Sequence, residues 1–317
     1  MARFDVVGEI VVDLVAGSDG RLTPVPGGSP ANVALALARL GSDVQLRARI
    51  GSDALAAACR EHLAANGVGL AHAVSAAEPA TLALTSVGTD GAARYDFWTT
   101  GTSDWQWTDA ELAGCPSPGA VALHTGSLAS WLAPGRVPVL DLVRRAAATD
   151  EVTLSYDPNV RASLMPDRVR VREQVEAYLQ VVHVVKASDE DVAFLYPDLP
   201  VDEVLRRWHS MGVGLAVLTL GGSGARATTS GGLSASVETP AIAVVDTVGA
   251  GDTFMGALLV ALDERDLLGE APIARLGRLG STGLTDLLRW AAAAAAVTCS
   301  REGCDAPTRT DVQALLS

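Results

Sequence analysis

The stretch Asp246-Thr247-Val248-Gly249-Ala250-Gly251-Asp252-Thr253-Phe254 carries most of the information about fold and chemistry. It follows the apolar run Ala241–Val245, which we expect to be a strand, and it opens an apolar helix that we expect to reach about Leu262. Two glycines let the backbone turn tightly and let a ligand approach its N–H groups. The start of a helix presents unpaired N–H groups and the positive end of the helix dipole. The stretch therefore predicts an anion-binding loop between a strand and a helix.

The carboxylate of Asp252 lies in the first turn of that helix. The positive field of the helix start should keep it ionised, so it can accept a proton. Its charge would repel a stored phosphate. The arrangement makes sense where a hydroxyl lies between the carboxylate and the anion, and loses a proton as it attacks phosphorus. On these residues alone a second interpretation stays open, in which Asp252 only complements the helix dipole.

Strand-like and helix-like segments alternate along most of the chain on either side of this loop. We predict strands at Phe4–Ile10, Val44–Ile50, Val121–His124, Val152–Tyr156, Val181–Lys186 and Leu215–Leu220. We predict helices at Pro30–Leu40, Asp53–Asn66, Pro138–Thr149, Arg168–Leu179 and Val201–Met211, with Ser29 and Ser188 as N-caps of helices. This rhythm predicts βα units and an α/β fold with a mostly parallel sheet covered by helices.

Two stretches break the rhythm with strand-turn-strand patterns, Val11–Pro26 and Thr81–Trp98, the second with Asp90-Gly91 as its turn. Both are β inside an α/β chain. We infer a small second sheet that stands off the main body as a lid, with lid segments at about 11–26 and 81–107 inserted in one domain, 1–317. Two unrelated hairpins are the alternative.

Glycines near the N-terminus mark a second candidate site. Gly27 and Gly28 follow the first lid strand and precede a helix whose first turn carries Asn32. Asp13 interrupts an apolar run on the lid strand. Carboxylate and amide side chains together suit the vicinal hydroxyls of a sugar. On these residues alone, a turn followed by an ordinary helix cap is the better explanation of the glycines.

Composition disfavours several classes of function. The formal net charge of −13 makes nucleic acid and anionic membranes poor partners, because the chain lacks the basic patch that gathers phosphate groups. The four cysteines form no Cys-x-x-Cys pair, which favours free thiols in a reducing compartment. The N-terminus begins directly with a strand and has no basic region followed by an apolar run. We therefore expect a cytoplasmic protein.

Two rival nucleotide motifs fail on context. The stretch Gly222–Ala227 fits Gly-x-Gly-x-x-Ala after a strand, but the residues that follow it, Thr228–Thr239, are strand-like rather than helical, which disfavours a dinucleotide fold. No Gly-Lys-Ser/Thr sequence occurs, which disfavours a Walker-type kinase. A kinase built on this chain would have to stabilise phosphate charge with helix-start amides and magnesium.

The segment from Gly27-Gly28 to Asn32 and the segment Asp246–Asp252 resemble the two signatures of the ribokinase-like carbohydrate kinases, also called the phosphofructokinase B family, and the resemblance covers nearly the whole chain. It implies a three-layer α/β/α fold with a mostly parallel sheet and a small β lid. It also implies ATP-dependent phosphorylation of a sugar hydroxyl.

The resemblance also implies roles for individual residues. Asp252 would be the catalytic base, and the amides from Gly249 through Ala250 and Gly251 to Asp252 would form the anion hole. Asp13, Gly27, Gly28 and Asn32 match sugar-binding positions. The stretch Asp157–Arg161 resembles the Asp-x-Asn-x-Arg of fructokinase-type members and would place Arg161 near the acceptor or the phosphates.

The nucleotide and metal sites follow from the resemblance in the same way. Lys186–Asp191 matches the segment where many members carry Asn-x-x-Glu, linked to magnesium and phosphate, and here Asp191 is one methylene shorter than that Glu. Asp246 matches a ligand of the monovalent cation, often potassium, that many members bind. The residues implied for nucleotide binding are Lys186, Ser188, Thr219, Gly221, Gly222 and Gly224. The cofactors implied are ATP, Mg²⁺ and, as an option, K⁺.

Among acceptors, the resemblance favours fructose, from Asp157–Arg161 and from the lid segment between Phe97 and Trp105. Ribose, 2-keto-3-deoxygluconate and nucleosides share the same base and anion hole and stay open. A non-catalytic sugar-binding regulator on the same fold is the alternative from a different class. A homodimer through the lid sheets is one expectation, and a monomer is the other.

Overall fold

A computed structural model describes residues 2–16, 20–87, 93–165 and 167–317. The strands are β1 (Arg3–Val7), β2 (Val11–Ala16), β3 (Leu22–Gly27), β4 (Asp43–Arg47), β5 (Arg49–Ile50), β6 (Val74–Ser75), β7 (Leu82–Val87), β8 (Ala93–Trp98), β9 (Ala120–Gly126), β10 (Thr153–Asp157), β11 (Val184–Ser188), β12 (Leu215–Thr219), β13 (Ala225–Thr229) and β14 (Ser234–Val237). The helices are α1 (Ser29–Arg39), α2 (Ala54–Ala65), α3 (Arg136–Ala147), α4 (Arg168–Leu179), α5 (Asp189–Leu195), α6 (Val201–Ser210), α7 (Ala250–Asp263), α8 (Pro272–Leu276), α9 (Ser281–Cys299) and α10 (Arg309–Leu316).

An eight-stranded sheet with the order β14-β13-β12-β11-β10-β9-β1-β4 forms the middle layer. The pairs from β4 to β12 are parallel, and β13 and β14 join antiparallel at one edge. Successive side chains of a strand point to opposite faces, so Val6 and Val7 belong to two different buried clusters. One cluster packs under α1, α7 and α9, and the other under α3, α4 and α6. The predicted α/β/α fold with a mostly parallel sheet is confirmed.

The two stretches that break the βα rhythm pair with each other in a second sheet of order β3-β2-β7-β8. β2 lies parallel to β7, and the outer pairs are antiparallel. The two stretches therefore share one small sheet, and the alternative of two unrelated hairpins is wrong. That this sheet acts as a lid stays a prediction, and we call it the lid below. The Asp90-Gly91 turn lies outside the described residues.

Two local predictions are wrong. Ala241–Val245 forms no strand. The N–H of Val245 donates to the carbonyl of Cys299 at the end of α9 rather than to a strand, and the Val245 side chain is 57% exposed. Ser29 is not the N-cap of α1, because that position belongs to Gly28 and Ser29 is the first helical residue. By contrast, the bounds of α4 agree with the prediction, and most other predicted bounds differ by a few residues.

Within the ranges that the structure describes, no helix combines the length and the apolar character that crossing a bilayer requires.

Candidate active site

The start of α7 is shaped by a glycine whose left-handed backbone and close neighbours disfavour any side chain. Gly249 occupies the N-cap position with φ +74°, and a Cβ there would lie 2.1 Å from Sγ of Cys304. Its carbonyl accepts the N–H of Thr253 at 2.8 Å. Within the described residues, the N–H groups of Gly249, Gly251 and Asp252 have no acceptor, whereas that of Ala250 donates to the carbonyl of Thr247 at 3.3 Å. Three of the four amides implied for the anion hole are therefore open to a ligand.

The carboxylate of Asp252 is held by two side chains from α1. Its Oδ1 accepts the hydroxyl of Ser29 at 2.6 Å, and its Oδ2 accepts Nδ2 of Asn32 at 2.9 Å. α1 lies close against α7, since a Cβ on Gly256 would be only 2.8 Å from Cβ of Ala36. The helix contact therefore fixes the carboxylate, and each oxygen keeps a lone pair for a further donor. The sequence did not predict that Ser29 donates to Asp252, because a serine before an apolar helix is typical of an N-cap.

The lid brings a second carboxylate to the same place. Asp13 on β2 packs against Gly27 on β3, where a Cβ would lie 2.1 Å from Asp13 Oδ2. Burial and the carboxylate of Asp252 raise the pKa of Asp13 to about 6, although the guanidinium of Arg161 lowers it. The charges of Arg161 and Asp252 on the body therefore act on Asp13 of the lid.

The loop after β10 presents Arg161 to the cleft described below. Asn159 adopts a left-handed backbone with φ +40°, and its N–H donates to Oδ1 of Asp157 at 3.1 Å. Nη1 of Arg161 donates to Oδ1 of Asn159 at 2.5 Å. The N–H of Val160 donates to Oδ1 of Asp191 at 2.8 Å. Backbone and side-chain hydrogen bonds within the protein therefore hold this loop in place.

A buried ion pair lies beside the start of α7. Nζ of Lys186, the only lysine in the chain, is 2.7 Å from Oδ2 of Asp157, and both side chains are almost fully buried. Burial lowers the pKa of Lys186, but the carboxylates of Asp157, Asp252 and Asp191 outweigh burial, so the net shift is upward. A Cβ on Gly251 would lie 3.0 Å from this Nζ. A positive charge therefore sits next to the open amides, and sequence reasoning missed its pairing with Asp157.

The two acidic residues predicted to bind metal ions each bind backbone amides with both oxygens. Asp191 Oδ2 accepts the N–H of Ser188 at 2.9 Å while the Ser188 hydroxyl accepts the N–H of Asp191, which completes a capping box at α5. Asp246 accepts the N–H groups of Val248 and Gly303. Across the described ranges, no group of three or more His, Cys, Asp or Glu side chains converges on one point.

A cleft of about 730 Å³ runs along this edge of the sheet, a size suited to a nucleotide. It is lined by every residue implied for nucleotide binding: Lys186, Ser188, Thr219, Gly221, Gly222 and Gly224. Apolar side chains, among them Ile242, Val244, Phe254 and Ala292, form another part of its wall. Arg161, Lys186 and Gly251 lie on the same cleft, so its charged part adjoins the start of α7.

Comparison with known proteins decides the family. The sequence profile of the pfkB family carbohydrate kinases matches residues 1–311. The chain belongs to this family. As a carbohydrate kinase it is 31% identical over 326 residues to the probable fructokinase-4 of Arabidopsis thaliana, an alignment that covers 98% of this chain and 95% of that relative. It is also 31% identical over 262 residues to the fructokinase of Klebsiella pneumoniae, which covers 81% of this chain and 83% of that relative.

Solved structures agree with the family assignment. A crystal structure of the Xylella fastidiosa fructokinase with bound ATP matches this kinase with a TM-score of 0.91 and 25% identity, over 99% of this chain and 98% of that one. The predicted resemblance to ribokinase-like carbohydrate kinases, and the prediction of an enzyme, are confirmed. The individual roles of the site residues stay predictions.

Proposed function

We propose that this carbohydrate kinase transfers the γ-phosphoryl group of ATP to a hydroxyl of fructose, with Asp252 as the general base. The observation that carries the proposal is the position of the Asp252 carboxylate, which is held by Ser29 and Asn32 in the same helical turn as three open amides. A proton acceptor and an anion site are thereby adjacent, as phosphoryl transfer to a hydroxyl requires.

The sugar lies between the lid and the body. Asp13 accepts a hydrogen bond from one of its hydroxyls, and Asn32 donates one to another. The attacking hydroxyl gives its proton to Asp252 as its oxygen forms a bond to the γ-phosphorus. The bond from that phosphorus to the bridging oxygen breaks, and the electron pair leaves with ADP. The amides of Gly249, Gly251 and Asp252 stabilise the charge on the transferring group.

The cleft residues suit a metal ion that arrives with the nucleotide rather than one held by the protein alone. Mg²⁺ is usually bound through one or two carboxylates together with substrate phosphates, where it neutralises their charge. Asp191 keeps only its remaining lone pairs for such an ion, because each of its oxygens already accepts a backbone N–H. Asp246 likewise keeps only its remaining lone pairs for a potassium ion, because each of its oxygens already accepts a backbone N–H.

The choice of fructose rests on the relatives and on Arg161. Both relatives named above are fructokinases by name, and the ATP-bound neighbour is a fructokinase as well. Arg161 is oriented toward the site by the loop after β10. Kinases for 2-keto-3-deoxygluconate, ribose or nucleosides would use the same base with different lid contacts. A non-catalytic regulator is disfavoured, since it would not need Asp252 held by two donors.

A coupled assay of ADP release tests the proposal. The protein is given ATP, magnesium and potassium with fructose, ribose, 2-keto-3-deoxygluconate, glucose, fructose 6-phosphate or adenosine in separate reactions. We expect strong turnover on fructose alone and slow ATP hydrolysis without sugar, because a closed lid excludes water. Turnover on another acceptor would overturn the choice of fructose and keep the base. Sugar binding without turnover on any acceptor would favour the regulator.

The outer surface of the lid suits a homodimer, which we propose as the assembly. Leu22 and Trp98 lie on the face of the lid sheet opposite to Asp13 and are 50% and 51% exposed, and exposed sheet edges favour pairing. Light scattering coupled to gel filtration distinguishes a dimer from a monomer, and a monomer at micromolar concentration would overturn this assembly.

A further inference from the structure

The chain passes between the body and the lid at four places, and three of them meet at one buried carboxylate. Residues 8–10 lead into β2, residues 80–81 lead into β7, and residues 99–103 return from β8. Asp104 follows the last of these crossings and is fully buried. It does not line the cleft and was not among the predicted site residues.

Asp104 binds both entering chains directly. Its Oδ1 accepts the N–H of Ile10 at 2.9 Å, one residue before β2. Its Oδ2 accepts the hydroxyl of Thr81 at 2.6 Å, one residue before β7. The carbonyl of Thr81 in turn accepts the N–H of Val12 at 2.9 Å, so the two central lid strands are tied together where they begin. The hydroxyls of Thr81 and Thr102 are 2.7 Å apart, which adds the returning chain to the cluster.

The body holds Asp104 firmly from its other side. The carbonyl of Ser103 accepts Nε of Arg49, and the N–H of Ser103 donates to the carbonyl of Pro79. The carbonyl of Trp105 accepts the N–H of Gly135 at 2.8 Å, and the indole of Trp105 is buried in the core beneath α3. Because its neighbours on both sides are fixed to the body, Asp104 can transmit the position of the body to the lid.

The fourth crossing passes the same point. Gly28 links β3 to α1 with φ +101°, and a Cβ there would lie 2.7 Å from the carbonyl oxygen of Glu9 and 3.1 Å from Cα of Ile10. The chain leaving the lid therefore runs directly against the chain entering it. A rotation of the lid about this point would strain all four crossings together.

The position of the lid decides the geometry of the reaction site. Asp13 lies three residues beyond Ile10 on β2, whereas Asp252 lies on the body. We propose that Asp104 is a positioning residue, which fixes the angle of the lid so that Asp13 holds the sugar hydroxyl against Asp252. This inference rests on the proposed function, since it assigns to Asp104 a part in the binding and orientation of the sugar but none in the binding of ATP.

The experiment compares three single variants with the native enzyme. Thr81→Val removes the hydroxyl that Asp104 accepts and keeps the shape of the side chain, and Thr81→Ser restores the hydroxyl. Ser117→Ala is the matched control, because the Ser117 hydroxyl makes a similarly buried bond to a carboxylate, Asp5, inside the body. We expect kcat/KM for fructose to fall about tenfold in Thr81→Val, the scale of one hydrogen bond to a charged group. The KM for ATP should stay within about twofold, and Thr81→Ser should recover most of the loss.

Hydrogen exchange gives a readout that does not depend on turnover. Peptides that cover β2 and the start of β7 should exchange faster in Thr81→Val than in the native protein and in Ser117→Ala. Equal losses for fructose and ATP, or the same kinetic change in Ser117→Ala, would overturn the inference, and so would unchanged exchange in the lid. If the native protein phosphorylates none of the sugars, the proposed function fails, and the exchange comparison still tests the attachment of the lid.

Discussion

Two helix starts at the same edge of the sheet carry a buried aspartate in their first turn, yet they are built in opposite ways. At α5, Ser188 caps the helix, and Asp191 accepts the backbone N–H groups of Ser188 and Val160. At α7, Gly249 stands at the N-cap with no side chain, and Asp252 accepts side-chain donors from α1. The two carboxylates are 7% and 8% exposed, so burial does not distinguish them.

The identity of the N-cap residue explains the difference. The Ser188 hydroxyl accepts the N–H of Asp191, so this donor of the α5 turn is already hydrogen-bonded within the protein. A glycine cap provides no such acceptor, which leaves the amides of the α7 turn open to an anion. A carboxylate bound by backbone amides stabilises a turn. A carboxylate bound by side chains beside open amides is placed for proton transfer.

The largest expected effect follows from removing the base. We expect Asp252→Asn to lower kcat by about a thousandfold, within the range for loss of a general base, because the amide cannot take the hydroxyl proton. Asp191→Asn serves as the comparison and should lower kcat by less than about tenfold while it lowers the melting temperature. Steady-state kinetics and thermal unfolding of both variants measure this. Similar kcat values for the two variants would remove the distinction between the two helix starts.

Lys186 connects the two regions, since it precedes α5 and its ammonium reaches the α7 turn. We expect Lys186→Met to lower kcat/KM for ATP by about a hundredfold, comparable to the loss of one preorganised donor to a developing anion. The variant should also lose about 3–5 kcal/mol of unfolding free energy, because Asp157 stays buried without its partner.

The double variant Lys186→Met/Asp157→Asn separates these two effects. It removes the unpaired charge, so it should regain most of the stability and none of the activity. Chemical denaturation and the coupled assay give the two quantities. If activity returned together with stability, Lys186 would be a purely structural residue.

The carboxylate of Asp13 should make the activity of the site at the start of α7 depend on pH. Burial and the charge of Asp252 raise the pKa of Asp13 to about 6, against the guanidinium of Arg161. We expect kcat/KM for fructose to fall by up to about tenfold per pH unit below about pH 6, because the protonated group loses the charge that strengthens its hydrogen bond from a sugar hydroxyl. Asp13→Asn should lack this limb of the profile, and an unchanged limb in that variant would assign it to another group.

Since the folded-state pKa of Asp13 is raised, the contribution of Asp13 to stability is present at low pH and is lost as the pH rises through about 6.

The sequence predicts most of the fold because the relevant signals are local. The glycine loop before α7, the βα rhythm and the bounds of α4 each follow from neighbouring residues. Ala241–Val245 shows the limit, since an apolar run predicts a strand, but the segment forms part of the cleft wall and bonds to the end of α9.

The remaining site contacts could not be predicted because they join residues far apart in the chain. Ser29 reaches Asp252 across 223 positions, and Asp104 reaches Ile10 across 94. Lys186 and Asp157 meet only because β10 and β11 are adjacent in the sheet. A serine before a helix and a lysine at the end of a strand carry no signal of such partners. A single unusual feature, one lysine in a chain rich in arginine, could have drawn attention to Lys186.

The smallest expected effects come from two serines that give the comparison its cleanest test. Ser29 donates its hydroxyl to Asp252, and Ser188 accepts the N–H of Asp191 with its own. Ser29→Ala should lower kcat a few-fold, because Asp252 loses one of the two donors that orient it. Ser188→Ala should cost about 1 kcal/mol of unfolding free energy, as loss of an N-cap does, and should change kcat less than Ser29→Ala. Thermal unfolding and kcat for both variants decide between the outcomes. A larger loss of kcat in Ser188→Ala than in Ser29→Ala would mean that Ser29 only stabilises the α1–α7 contact and that the capped turn at α5 takes part in the reaction. The two helix starts could then not be divided into a structural one and a chemical one.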